Sequence, residues 1–420
     1  MSNFRYLVII LGFLAFSNES ISSQENFRKL LGEFLEKNYS ISAKKTEFKQ
    51  AKSSAEIYRA ALDPALNFSM NYQNNDSDAA TTLVNFAAGK TTQYNFTLSK
   101  VFKHGTQLSL ENTFSNTIQD PTRIAVFGGD PEVKQFIQTL SLSHSLTKNF
   151  LGKSYIYGEK AKDEESDIAS INLSIEKETG VINFVKSYVN LMRSRDFLSL
   201  QEAALIRAKK RKKLIDRRVK DGLNLKVDGL QAQMQLFNAK EQVESAKQDF
   251  SKAREILSSL LHRSINENDK ILKFGEGVSF LPEKIDNSGE NNLMLKLLRK
   301  QKDVVDLNKK ITSLNKKMDL DFSVSYQTND FDTESGTVFS RGNLGGDRNV
   351  LTLALTASIP WSNKKAKEEK DWLAANQQKL LDKIDKKINT FDDQIAEVNN
   401  EYKQLKIDYE KFENDFKEKI

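Results

Sequence analysis

The chain has 420 residues, of which 39% are hydrophobic and 29% charged, with only 5 Pro and no Cys. That balance suits long solvated helices better than a thick globular core, and the absence of Cys excludes disulfides, thiolate metal sites and cysteine nucleophiles. A net charge of +6 spread over 63 basic and 57 acidic residues is too mild to point to nucleic acid as a partner.

Arg5 precedes an apolar run from Tyr6 to Phe16, followed by a small polar stretch, Ser17 to Ser23. Such a run is too short to span a bilayer as a helix and suits the core of a signal peptide, so residues 1–23 are expected to be an export signal. From about Glu25 to Ala61 the spacing predicts helix, ended at Asp63-Pro64 because the residue before proline is pushed out of the helical region.

Extended segments come next. Leu66, Phe68, Met70 and Tyr72 alternate with Asn67, Ser69 and Asn71, a period of two with one apolar and one polar face. The same alternation runs through Tyr94, Phe96 and Leu98, and through Leu108 and Leu110, with His104-Gly105 as the turn between them. Leu140, Leu142, His144 and Leu146 mark a further strand. In a soluble sandwich such alternation separates core from water, and in an outer-membrane barrel it separates lipid from a wet lumen.

Helical periodicity is nearly unbroken from roughly Ser154 to Lys220, a helix on the order of 100 Å long at about 1.5 Å per residue. Asp221-Gly222 interrupts it, and periodicity resumes through Val227, Leu230, Met234 and Phe237 to end near His262. The stretch is a helical hairpin whose turn lies at Lys220 to Asn224. Residues 265–290 read as an irregular linker.

The second half repeats the first. DLDFSVSYQT at 319–328 matches ALNFSMNYQN at 65–74, and TLALTASI at 352–359 echoes TLSLSHSL at 139–146. The unit helix, strand, strand, helix therefore occurs twice. The first copy has 66 residues between Gln73 and Thr139 where the second has 25 between Gln327 and Thr352, a difference of 41. The excess carries an added hairpin, roughly Thr92 to Phe102 and Thr106 to Asn116. In the last helix, 361–420, Ile384, Ile388, Phe391, Ile395, Val398 and Tyr402 recur in steps of four and three, the near-3.5 repeat of a left-handed coiled coil.

These features together resemble the TolC-like outer-membrane efflux protein family. The resemblance covers nearly the whole mature chain and rests on the helix ending in proline before the first strand, the strand LSLSHSL entering a long helix, and DGLNLKVDGLQAQMQLFNAK at the hairpin. It implies an α+β membrane protein, in which a trimeric outer-membrane β-barrel is continued by a long periplasmic α-helical coiled-coil barrel built from two internal repeats. The domains follow as 1–23 signal peptide, 24–264 first repeat, 265–290 linker and 291–420 second repeat. It further implies a homotrimer in outer-membrane lipid acting as a passive exit duct for efflux or type I secretion, with a periplasmic adaptor and an inner-membrane transporter as partners.

Two departures stand beside it. The added hairpin would give six strands per protomer rather than the family's four, either within the barrel wall or outside it. The second repeat is expected to lack its final returning helix, since the coiled-coil pattern runs up to Ile420. The alternatives are a structural coiled-coil envelope protein, and a truncated family member that transports nothing.

The densest basic run is Arg207, Lys209, Lys210, Arg211, Lys212, Lys213, Arg217, Arg218 and Lys220. It is either a docking surface for an acidic adaptor or a solvated helix end, where cations are favoured by the dipole. On the docking reading the tip is Arg217, Arg218, Lys220, Gly222 and Leu223, with Gly222 and Leu223 assigned by the resemblance. His104, His144 and His262 have no ligand spacing. Asp163, Glu164 and Glu165, and Asp392 and Asp393, read as solvent-facing. No nucleophile elbow, phosphate loop or HExxH pattern is present, so neither an enzyme nor a cofactor is expected.

Overall fold

The computed structural model describes residues 18–75, 89–119, 130–265, 292–359, 362 and 364–418. The expected signal core, most of the 265–290 linker and Pro360 lie outside these. The order is α1 (Asn18–Lys37), α2 (Tyr39–Ala60), β1 (Ala65–Asn75), β2 (Gly89–Val101), β3 (Thr106–Gln119), β4 (Glu132–Ser145), α3 (Lys153–Lys220), α4 (Lys226–Leu261), α5 (Leu293–Asn315), β5 (Asp319–Asp332), α6 (Ser335–Arg341), β6 (Asn349–Ser358) and α7 (Lys364–Glu418). Contacts divide the chain into two compact units. One comprises Met1–Phe48, Ala169–Lys296 and Ile388–Ile420, and the other Lys49–Ile168 and Leu297–Lys387.

The first unit is helical. Its core joins Leu30, Leu31 and Phe34 of α1, Ile41 of α2, Phe184, Tyr188, Leu191 and Met192 of α3, and Ala253, Leu257 and Leu261 of α4. The α3 residues recur at i, i+4, i+7 and i+8, which puts them on one stripe. Phe34 stacks on Phe184 at 5.2 Å and Phe27 meets Tyr188 edge-on at 4.9 Å. Gly180 allows this approach, since a Cβ there would sit 3.3 Å from the Phe34 ring.

The single helix expected from Glu25 to Ala61 is divided at Asn38, whose side-chain oxygen accepts the Ile41 N–H at 3.0 Å and caps α2. α4 ends at His262, left-handed at φ 52°, which lies on the Tyr39 ring at 4.5 Å. Arg263 then pairs with Glu33 of α1 at 3.0 Å.

All six strands among the described residues lie in the second unit, in one antiparallel meander of order β1-β2-β3-β4-β5-β6. The added hairpin, β2 and β3, is thus paired into the sheet between β1 and β4. Those two strands are the first-repeat counterparts of β5 and β6, which pair directly with each other. β1 and β5 begin, and β4 and β6 end, at the same edge of the sheet, which carries the junctions with α2, α3, α5 and α7. The β2–β3 turn sits there too.

Helix ends in this unit are tied by ions. Lys300 of α5 bridges Glu164 and Asp167 of α3 at 2.7 and 2.8 Å, while Arg59 of α2 pairs with Glu159 and Asp163 of α3. The acidic cluster read as solvent-facing is corrected by these contacts. Asp163 and Glu164 join neighbouring helices, and only Glu165 stays within its own, on Lys162.

Candidate membrane-facing sheet and hairpin tip

Register decides what the sheet presents. Leu66 faces Leu98, Leu98 faces Leu110, Leu110 faces Leu140, Leu140 faces Tyr326 and Tyr326 faces Leu351. One row of large apolar side chains therefore crosses all six strands. Because side chains alternate, Phe68, Met70, Phe96, Leu108, Leu142, Val324, Phe322, Leu353 and Leu355 stand on the same face. The other face carries Asn67, Ser69 and Asn71, Asn95 and Thr97, Thr113 and Ser115, Ser141 and Ser143, Ser323 and Ser325, Thr352 and Thr356.

Toward the helix-bearing edge the apolar face is open. Leu98 is 43% exposed, Phe68 69% and Leu353 64%, whereas Asn95 and Thr97 on the opposite face of β2 are only partly exposed. A sandwich would bury this face against a second layer. Here Phe68, Met70, Phe96, Leu98, Leu142, Leu353 and Leu355 are exposed together on one face, on strands of 10 to 14 residues, enough to cross a bilayer. No described helix is long and apolar enough to cross a membrane.

At the helix-bearing edge the apolar face is rimmed by Phe102, His144 and Phe150, with His144 and Phe150 edge to face at 6.1 Å. Two turns interlock at this edge. A Cβ on Gly152 would fall 1.8 Å from the Lys103 carbonyl oxygen, and one on Gly105 would fall 2.6 Å from that of Asn149. Lys103 also pairs with Glu159 at 2.5 Å. That contact and Arg59 hold the Glu159 carboxyl below the ordinary glutamate range against the opposing effect of burial.

At the far edge the apolar face is covered over β3, β4 and β5 by the segment carrying α6. Val338 is fully buried, and Phe339 lies between Phe114 at 5.1 Å and Phe136 at 4.9 Å. The Thr328 hydroxyl donates to the Gly342 carbonyl at 2.7 Å, and the Leu344 N–H donates to the Gln138 side chain at 2.9 Å. Asp330, 1% exposed, is neutralised by Arg341 at 2.8 Å and Arg348 at 2.7 Å. Sequence alternation did not anticipate this cover, although the shift to Gln138, Thr328 and Asp330 on the apolar face is its signal.

The hairpin tip belongs to the helical unit. The Leu223 N–H donates to the Arg218 carbonyl at 2.8 Å and the Gly222 N–H to that of Val219 at 3.2 Å, a Schellman close on α3. Gly222 has φ +74°, and a Cβ added there would meet nothing within 4 Å, so its role is conformational. The Asp228 carboxylate accepts the Leu225 N–H at 3.0 Å and starts α4. Arg217, Arg218 and Lys220 lie in the last turn of α3, and Leu223 and Leu225 are 75% and 73% exposed. The tip is basic on one side and apolar at its point. His104 and His144 have ring centroids 6.5 Å apart, and among the described residues no cluster of His, Asp or Glu could hold a metal ion.

No protein-family model and no curated protein matches the sequence. Solved structures do match the fold. The outer membrane protein VceC of Vibrio cholerae superposes with a TM-score of 0.58 at 12% identity, covering 89% of this chain and 77% of that one. The CmeC outer membrane channel of Campylobacter jejuni gives 0.56 at 14% identity over 87% and 68%. The open state of the MtrE outer membrane channel of Neisseria gonorrhoeae gives 0.54 at 16% identity over 86% and 69%. The chain has the protomer fold of outer-membrane channels, as its resemblance to the TolC-like family implies.

Proposed function

We propose that this chain is a member of the TolC-like family and serves as a passive outer-membrane exit duct for efflux of small molecules or type I secretion. The observation that supports this best is the six-stranded sheet with one apolar face, open outside the cover of α6, and one polar face, joined at one edge to long helices too polar to enter lipid. An open sheet cannot stay in a bilayer, because its edge N–H and C=O groups find no partner there. Three copies closing a barrel remove those edges, put the apolar faces against lipid and the polar faces around water, and continue the conduit through the helices on the periplasmic side. Residues 1–23 direct export. A periplasmic adaptor docks at Arg217, Arg218, Lys220, Gly222 and Leu223 and links the duct to an inner-membrane transporter.

The test is fractionation with and without heating. The native chain is expected in outer-membrane fractions as a band that runs at three times its mass unheated and as monomer after boiling. Recovery as a soluble periplasmic monomer refutes the duct. Replacing Arg217 and Arg218 by Glu is expected to abolish crosslinking to the adaptor while leaving that band intact.

A further inference from the structure

Resting on the proposed trimer, we infer that the membrane wall has eighteen strands, six from each copy, with β6 of one copy seated on β1 of the next. The occupant of each open edge is thus a second copy of this chain. The two edges suit each other. They run in opposite directions, and they have 11 and 10 residues. They also carry their apolar side chains on the same face, Leu66, Phe68 and Met70 on β1 and Leu351, Leu353 and Leu355 on β6, so joining them continues both the apolar and the polar surface without a break.

The added hairpin is part of this wall and not an appendage. β2 pairs with β1 over Gly89–Ser99 and β3 with β4 over Thr106–Ile118, and their outward residues Leu98 and Leu110 fall in the same row as Leu66 and Leu140. Their turn is locked into the base of the sheet by the Gly105 and Gly152 contacts and by Lys103 on Glu159. A hairpin standing clear of the membrane would need none of these.

Width follows from strand number. With strands about 4.8 Å apart and tilted about 40°, eighteen strands close at a backbone radius of about 18 Å, against about 12 Å for the twelve that four strands per copy would give. The inward side chains are predominantly polar, with Asn, Ser and Thr the commonest, so the mouth is water-filled and about 25 Å across. A single α-helix with its side chains is only about 10–12 Å wide. A strand wall of that width does not by itself select cargo by size.

Electron cryomicroscopy of the detergent-solubilised trimer viewed down its axis tests this. A ring of about 18 Å radius is expected, and a variant lacking residues 89–131, in which 76–88 link β1 directly to β4, is expected to shrink it to about 12 Å. A 12 Å ring in the unaltered trimer overturns the inference while leaving the duct standing, as does an unchanged ring in the deletion variant. Absence of any ring refutes the trimer itself. If the deletion variant does not fold, cysteines answer the question in the naturally cysteine-free chain: inward positions Asn67, Ser69 and Asn71 of β1 paired with Thr352, Ala354 and Thr356 of β6 should give disulfide-linked ladders up to trimer. No ladder from any pair overturns the edge pairing.

Discussion

Glu159 shows how much one side chain can hold together. It sits on α3, takes Arg59 from α2 and Lys103 from the β2–β3 turn, and so joins the two helices that flank the first four strands to the hairpin between them. Its carboxyl is held below the ordinary glutamate range by those partners. The linkage sign follows: a depressed folded-state value stabilises above the unfolded value, and that contribution is lost as pH falls through the folded one. Melting of the purified protein should therefore show Glu159→Gln less stable than the native chain at neutral pH. The difference should shrink once pH falls below the ordinary glutamate range and vanish below the depressed native value, where the native carboxylate is itself protonated. A difference independent of pH would mean that packing, and not the ion pair, is what the substitution removes.

At the scale of elements, the strands were legible because alternation is a direct record of two different solvents on two faces, and residues 66–72 and 320–326 carry it cleanly. The helical hairpin was legible because Asp221-Gly222 interrupts an otherwise periodic stretch. The break at Asn38 was not, since a capping side chain leaves hydrophobic spacing intact on either side. α6 was not legible either, because it is a short segment whose stability comes from Phe114 and Phe136, far away in sequence. Nor could the sequence decide whether the added hairpin joins the sheet, since pairing is a property of neighbours and not of a strand. The two faces make a clear prediction. Leu140→Arg, on the apolar face, should cost about 2–4 kcal/mol in urea unfolding from lipid vesicles, and Ser141→Arg, one residue on and facing inward, much less. Equal costs would mean that both faces meet the same medium.

For the whole molecule, the same exposed surface sets the conditions under which it survives. With its apolar face open outside the α6 cover and both sheet edges unpaired, the chain extracted without detergent is expected to aggregate. Mild detergent should keep it dispersed, as sedimentation or size-exclusion profiles would report. The helical unit places its large apolar side chains around Phe184 and Tyr188 and has no comparable sheet surface, so the demand for detergent comes from the strands. A structural coiled-coil protein of the envelope would have no such demand.

The added hairpin also fixes how this architecture can change. Each strand reverses the direction of the chain, so inserting one strand between β1 and β4 would deliver α3 to the wrong end of the sheet. Inserting two restores the direction and leaves every helix junction where it was. The smallest permissible enlargement is a pair, and symmetry multiplies that pair by the number of copies. A barrel of the proposed kind could therefore widen only in whole hairpins per copy, in coarse steps, with the helix junctions of the sheet left in place.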